Sequence, residues 1–294
     1  MRISVIIPVF NSAHLLRRTL QSIRLGGAKD VEVIIRDGGS EDGIEDVVAD
    51  FSDIVTLLVS EKDEGQYDAI SKGFAQCSGE ILCWINAGDF FFPGALENAV
   101  RVFNKFSNIK WLTGRQCVAE EGIVTVMGRS TVLVSNLEIR SGVCSGGIGG
   151  HLQQEGMFWR RSLWEKVGGL DLVYTLAGDF ELWLRFSSEC NLYRMAFPLA
   201  AFSYHGDNRS VKLRDKYDKE VASILCKKSL VQRILAVALT AGLRVTRKIP
   251  LFRELISLMM VPVRPLLVGI VDWEREKVTG EFILRLKYVP AWVG

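Results

Sequence analysis

Residues 61–96 read EKDEGQYDAISKGFAQCSGEILCWINAGDFFFPGAL: an acidic loop, a helical segment, a short apolar strand and a second acidic loop in direct succession. That order constrains the fold more than any other part of the chain. A run such as EILCWI, nearly continuously apolar until Asn86, has no side to turn to water and fits a central strand covered on both faces. Helices on both faces of a strand mean an open α/β sheet. In such a sheet the carboxyl ends of the strands face the ligand crevice, so Asp89 emerges where metal or nucleotide work is done. The same carboxylate also suits the N-cap of a helix beginning near Pro93.

The preceding residues repeat the pattern. ISVIIPV at 3–9 is an apolar strand, after which Asn11 or Ser12 can cap a helix whose Leu16, Leu20 and Ile23 share one face before Gly26-Gly27 ends it. VEVIIRD ends at Asp37, and the Gly38-Gly39-Ser40 turn leads into a helix at 44–51, a strand at 55–60 and a helix at 66–76. Alternating strands and helices with short connections predict a mostly parallel sheet with right-handed crossovers. Two of its strand ends carry an aspartate.

With 294 residues and 48% hydrophobic composition the chain can bury a sizeable core, as one large domain or a domain with an appendage. A net charge of +2 argues against bulk nucleic-acid binding, but it is unevenly spread. From Lys212 onward there are 16 Lys+Arg against 8 Asp+Glu, a local +8, while residues 1–211 carry −6. The expected division is a body at 1–211 and a basic, apolar, helical C-terminal region at 212–294 that meets a different partner. Six cysteines without Cys-x-x-Cys spacing read as reduced thiols, and the short apolar run before Pro8 is no secretory signal, so a cytoplasmic setting is expected.

Two nucleotide-binding motifs are missing. Phe10-Asn11-Ser12-Ala13 follows the first strand where a dinucleotide fold needs Gly-x-Gly-x-x-Gly, and there is no P-loop. The glycine-rich run 145–150 comes too late and reads as a mobile loop.

Six segments, in order, carry a resemblance: SVIIPVFN, the Asp37-Gly38-Gly39-Ser40-Glu41-Asp42-Gly43 turn, DEGQYDAISKG, INAGDFFFPGAL, QQEGMFWRRSLWEKVGGLD and AGDFELWLRF. Across about residues 1–210 the chain resembles the family 2 glycosyltransferases of the GT-A fold. The resemblance implies a Rossmann-like, mostly parallel central sheet flanked by helices. It also implies inverting transfer of a sugar from a nucleotide-sugar, commonly a UDP-sugar, to an acceptor hydroxyl.

A departing nucleoside diphosphate is usually met by a magnesium or manganese ion held by one or two carboxylates and the phosphates. Asp89 is the first expected ligand of that divalent ion, with His205 as a second, although a histidine bonded only to its neighbours is the other reading. Many relatives carry two adjacent acids here, where this chain has Gly88 and Asp89. Pro8, Phe10, Asn11, Asp37, Asp68, Lys72, Asn86 and Gly88 are expected around the nucleotide. Asp37 equally suits an Asx turn, Asp68 and Lys72 a surface ion pair four residues apart, and Asn86 the shaping of its own turn. Gln154, Glu155, Trp159 and Arg209 are expected about the donor-sugar and acceptor pocket, with Trp159 also a candidate core aromatic. Asp179 is the expected general base, or else a helix N-cap, and Glu155 and Glu181 are the reserves.

Beyond Lys212 the resemblance runs out. Apolar stretches at 230–243 and 251–271 are broken by Arg233, Arg253, Glu254, Arg264, Pro262 and Pro265, so they make poor spans. Basic interrupted helices suit an anionic membrane surface at the inner face, and equally a bundle packed on the body or on a second subunit. The implied role is sugar transfer to a saccharide or lipid-linked saccharide during cell-surface polysaccharide assembly. A catalytically silent assembly subunit is the alternative from another class.

Overall fold

The structure is a computed structural model that describes residues 1–120, 122–127, 135–142, 144–145, 151–205, 208, 212–226, 238, 267–275 and 282–290. Its first half runs β1 (Ile3–Val9), α1 (Ala13–Arg24), β2 (Val31–Asp37), α2 (Ile44–Ala49), β3 (Val55–Ser60), α3 (Gln66–Gln76), β4 (Ile81–Trp84), β5 (Phe90–Phe91) and α4 (Ala95–Lys105). Then follow β6 (Trp111–Thr113), β7 (Cys117–Glu120), β8 (Ile123–Met127), α5 (Asn136–Ser141), β9 (Phe158–Arg160), α6 (Arg161–Val167) and α7 (Gly178–Glu189). The remaining elements are β10 (Leu192–Met195), β11 (Ala200–Tyr204), α8 (Arg214–Cys226), β12 (Leu267–Arg275) and β13 (Phe282–Pro290).

Nine of these strands form one sheet in the order β13-β12-β10-β6-β9-β4-β1-β2-β3, and β5-β11-β7-β8 form a smaller one. β1 pairs in parallel with both β2 and β4, so their carboxyl ends open on the same side. β9 runs antiparallel between β4 and β6. The mostly parallel open sheet expected from the alternation is present.

Two-residue periodicity splits each central strand between two cores. Ile3, Val5, Ile7 and Val9 pack with Leu16, Leu20 and Ile23 of α1 and with Leu96, Val102 and Phe103 of α4. Ile6, Leu82 and Trp84 point the other way, against Ile70 and Phe74 of α3 and Leu182, Trp183 and Phe186 of α7. That second core is aromatic: Trp183 stacks on Trp84 with ring centroids 5.7 Å apart and on Trp111 at 5.4 Å. Trp159 lies 5.3 Å from Trp84 in an edge-on arrangement. Such pairs are each worth about 0.5–1.5 kcal/mol beyond the area they bury, so they fix α7 against the sheet.

Helix starts depart from the sequence reading. Ser12 occupies the N-cap of α1 but its side chain makes no capping bond. Asp42 supplies it instead, its Oδ2 accepting from Ala13 N at 2.8 Å. Asp89 is not an N-cap either, because α4 begins at Ala95 behind Gly94.

The C-terminal region is the larger correction. Residues 214–226 are helical as expected, but β12 and β13 form an antiparallel hairpin whose first strand pairs in parallel with β10. Val271 and Leu284 are buried in the main core while Arg285 and Lys287 face outward. The alternation Leu284-Arg285-Leu286-Lys287 was the strand signal, masked by the basic composition around it. The apolar stretch 230–243, apart from residue 238, and residues 251–266 of the second lie outside the described residues. No helix among the described residues is long and apolar enough to cross a membrane.

Candidate active site

A cleft of about 1640 Å³ opens at the carboxyl ends of β1, β2 and β4. Its lining includes Pro8, Phe10, Asn11, Asn86, Asp89, Gln154, Glu155, Asp179 and His205 from the sequence expectations. The nucleotide side is built by the end of β1 and the turn after β2. Asn11 holds φ 47°, the only positive φ outside glycine among the described residues. It bridges to that turn, its N–H donating to Ser40 Oγ at 2.7 Å and its Oδ1 accepting from Glu41 N at 3.3 Å. Phe10 projects at the rim with 62% of its surface exposed, leaving a flat apolar face free.

Asp37 does not line the cleft. Its Oδ2 accepts from Ser40 N at 2.9 Å, Gly39 N at 3.2 Å and Ser60 Oγ at 2.6 Å, and its Oδ1 accepts from Ser40 Oγ. The Asx-turn reading describes what this carboxylate does: it shapes the wall without facing the cleft. Asp68 and Lys72 also lie outside the cleft, paired with each other at 2.8 Å across one helical turn. The surface ion-pair reading describes what these two side chains do in the structure.

Gly88 is absent from the lining as well. Its φ of 100° is a conformation that favours glycine, its N–H donates to Thr19 Oγ1 at 2.9 Å, and its carbonyl accepts from Ser203 Oγ at 2.6 Å. The residue that replaces the first acid of the pair is a hinge anchored on both sides. Trp159 is fully buried in the aromatic core and belongs to packing. Arg209 lies outside the described residues.

Asp89 is 3% exposed and sits directly after that hinge. Its Oδ1 accepts from Ser203 N of β11 at 2.7 Å, while Oδ2 has a long 3.3 Å contact from Asn86 Nδ2. Asn86 in turn accepts from Gln66 Nε2 at 2.5 Å, so it orders the turn. His205 follows β11 at the cleft edge, its N–H donating to Asn208 Oδ1 at 2.7 Å and its Nε2 lying 3.1 Å from Asn208 Nδ2.

Glu155 and Asp179 also line the cleft. Glu155 is buried and its Oε2 has no hydrogen-bond partner. Gln154 anchors the same segment, donating from Nε2 to Trp84 O at 2.6 Å. Asp179 lies in the first turn of α7 behind an Ala177 cap, so it is not the N-cap. Its Oδ1 accepts from Phe180 N at 2.7 Å and lies 3.2 Å from Tyr67 Oη. Glu181, one residue beyond Phe180, is held by Arg185 at 2.5 Å on the helix surface and is not in the lining.

Three carboxyl groups therefore share one low-dielectric cleft, and each resists ionisation. Burial pushes Asp89 well above the usual carboxylate range, reinforced by the charge of Glu155 and opposed by Ser203 N–H, Asn86 and Arg18. Burial lifts Glu155 to about 7, with the Asp179 charge adding to it. Asp179 is lifted to about 6 by burial, against the hydrogen bonds from Phe180 N–H and Tyr67. The shared cause is desolvation with like charges nearby, the pattern of a site poised to take a cation or a proton.

Sequence reasoning passed over Tyr67, Arg18, His151, Arg214 and Tyr217. Arg18 lies over the Phe90 ring at 4.2 Å and beside Asp89 in charge, and the other four line the cleft. Tyr67 sat within the DEGQYDAISKG segment, but only its charged members drew attention. Arg214 and Tyr217 come from α8, in the region assigned to another role.

Comparison with known proteins bears on the fold that carries this cleft. Residues 4–127 match the model of Glycosyl transferase family 2. Over that stretch the chain is similar to the family. An uncharacterized glycosyltransferase of Mycobacterium tuberculosis is 28% identical over 206 residues, covering 69% of this chain and 76% of the relative. One from Rickettsia typhi is 28% identical over 106 residues, and there the match spans 36% of this chain and only 33% of the relative. Among solved structures, S. aureus TarS 1–349 in complex with UDP-GlcNAc superposes with a TM-score of 0.61 at 15% identity, over 80% of this chain and 69% of that one. The mannosyltransferase PcManGT from Pyrobaculum calidifontis, in complex with GDP-Man and Mn2+, gives 0.54 at 18% identity, over 90% and 81%. At those identities the likeness is one of fold, and that fold is GT-A.

Proposed function

We propose that the chain transfers a sugar with inversion from a nucleoside diphosphate sugar, UDP-linked in the first instance, to an acceptor hydroxyl. The observation that carries this reading is the convergence of Asp89, Glu155 and Asp179 on one cleft from three separate parts of the chain. The exposed face of Phe10 and the Gly38-Gly39 turn offer a place for the base and ribose, where Gly38 lies so close to Asp63 that a Cβ there would stand 2.9 Å from its Oδ2. The diphosphate then falls toward Asp89, and the donor sugar toward Glu155 and Gln154.

A divalent ion, manganese or magnesium, suits the site chemically. Asp89 keeps Oδ2 with only one long contact, Glu155 Oε2 is an orphaned buried acceptor, and both carboxyls are destabilised as anions. Among the described residues no three His, Cys, Asp or Glu side chains gather to hold a metal unaided, which is the habit of sites where substrate phosphates complete the shell. Asp89 and His205 would hold it, and when bound it neutralises charge on the leaving diphosphate.

Asp179 acts on the acceptor. Displacement in line with the leaving group needs a base on the opposite face, and a carboxyl at about 6 is ionised near neutral pH yet basic enough to take the hydroxyl proton. Tyr67 and Phe180 N–H orient it. Glu155, at about 7 and without a partner on Oε2, is the second candidate base. Glu181 is withdrawn from that role by Arg185.

The acceptor is proposed as a saccharide or lipid-linked saccharide, handled at an anionic membrane surface during cell-surface polysaccharide assembly. The basic C-terminal composition supports that setting. The test of the central reading is a screen of nucleotide-sugars for manganese-dependent hydrolysis by the full chain. Turnover of one donor that is abolished in Asp89→Asn supports it. Binding and turnover of none would favour the silent assembly subunit.

A further inference from the structure

The proposed base stands on a loop that has its own anchor, in a part of the chain beyond the family match at 4–127. Glu220, midway along α8, accepts at Oε2 from three successive backbone N–H groups: Thr175 at 3.1 Å, Leu176 at 2.9 Å and Ala177 at 2.9 Å. Its Oε1 accepts from Thr175 Oγ1 at 2.8 Å and lies 3.2 Å from Thr175 N. The helix is held in place to do this, because Tyr217, Val221 and Ile224 on the same face pack against Tyr174, Ala177 and Phe180. A run of N–H groups entering a helix carries partial positive charge, and a carboxylate is its natural complement.

We infer that Glu220 is a positioning residue for Asp179: by binding the 175–177 turn it sets the entrance of α7 so that the Asp179 carboxylate meets Tyr67 Oη and faces the cleft. The inference deepens the reading of Asp179 as base and rests on it. The groups that face Asp179 are Tyr67 from α3, Glu155 from the segment before β9, and Tyr217 and Glu220 from α8. The negative charge of Glu220 opposes ionisation of Asp179, so Glu220 has an electrostatic signature besides its structural one.

The experiment uses the full chain and needs no known acceptor. In Glu220→Gln, amide exchange at 175–177 should accelerate about tenfold or more, since charge-assisted bonds become neutral ones. The carboxyl carbon of Asp179, followed by NMR, should titrate at lower pH than in wild type, and calorimetric binding of UDP-GlcNAc, used as the donor probe, should be unchanged. Unchanged exchange together with an unmoved Asp179 midpoint overturns the inference. If Glu220→Gln does not fold, the wild-type protein decides: protection of 175–177 must fall as acid protonates Glu220, which these N–H groups hold below the usual glutamate range, and protection that ignores pH sinks the idea. Failure of the base reading is separate, and is seen as full transfer by Asp179→Asn whatever Glu220 does.

Discussion

Tyr67 and Asp179 are locked to each other twice: Tyr67 Oη lies 3.2 Å from Asp179 Oδ1 and accepts from the Asp179 backbone N–H at 3.3 Å. The contact joins α3 to α7, 112 residues apart, and it requires Gly178, where a Cβ would stand 2.7 Å from Tyr67 Cε2. The hydroxyl lowers the pKa of Asp179 against a larger upward push from burial. Tyr67→Phe therefore raises that pKa further. The acid limb of activity, expected near the Asp179 value of about 6, should move to higher pH, with a rate loss of roughly twofold at neutral pH for a shift of about one unit and a larger loss below it. A pH–rate profile checks this, and an unmoved limb would separate Tyr67 from the base.

Asp179→Asn should keep donor binding and lose transfer by about 10² to 10⁴, the usual weight of general-base assistance. The asparagine can still accept from Phe180 N–H, so the fold is expected to hold. Paired calorimetry and transfer assays distinguish the two effects. Retained transfer would shift the role to Glu155.

Donor affinity should depend on manganese and on Asp89. Calorimetry with UDP-GlcNAc, with and without the ion and beside Asp89→Asn, should give tight binding only for wild type with metal. Equal affinity in all cases would remove Asp89 from ion binding.

The raised carboxyls also set a stability slope. Glu155 ionises at 4.5 when unperturbed and at about 7 when folded, so the folded state holds the extra proton between those values. Its contribution is fully present below 4.5 and is lost as pH rises through about 7. The melting temperature of the ligand-free protein should then fall across that window in wild type and fall less in Glu155→Gln. Identical slopes would count against a strained Glu155.

A chain ending at residue 211 should be poorly soluble and lose the proposed base function, because it removes α8 from Tyr174, Ala177 and Phe180 and leaves β10 without β12. Co-sedimentation of the full chain with anionic vesicles tests the membrane setting separately. Pelleting that weakens with salt supports it, and indifference to vesicles assigns the basic apolar region to packing or a subunit interface.

Local patterning determined a good deal of this protein. The apolar runs ending at Val9, Asp37 and Trp84 read as strands of an open sheet whose carboxyl ends face a crevice, because backbone polarity and side-chain period act over a few residues. Asp89 could be placed at a strand end for that reason, whereas Glu155 and Asp179 were singled out only through the family resemblance. What only the tertiary structure decided were pairings across long separations: Asp42 capping α1, Tyr67 at Asp179, and Glu220 beneath α7. Asp37 and Asp68, acids of the same type as Asp89, are engaged by their own turn and by Lys72 and do not line the cleft. Whether a carboxylate serves a ligand or its own backbone depends on which donors the fold brings within about 3 Å, and a one-dimensional pattern does not carry that distance.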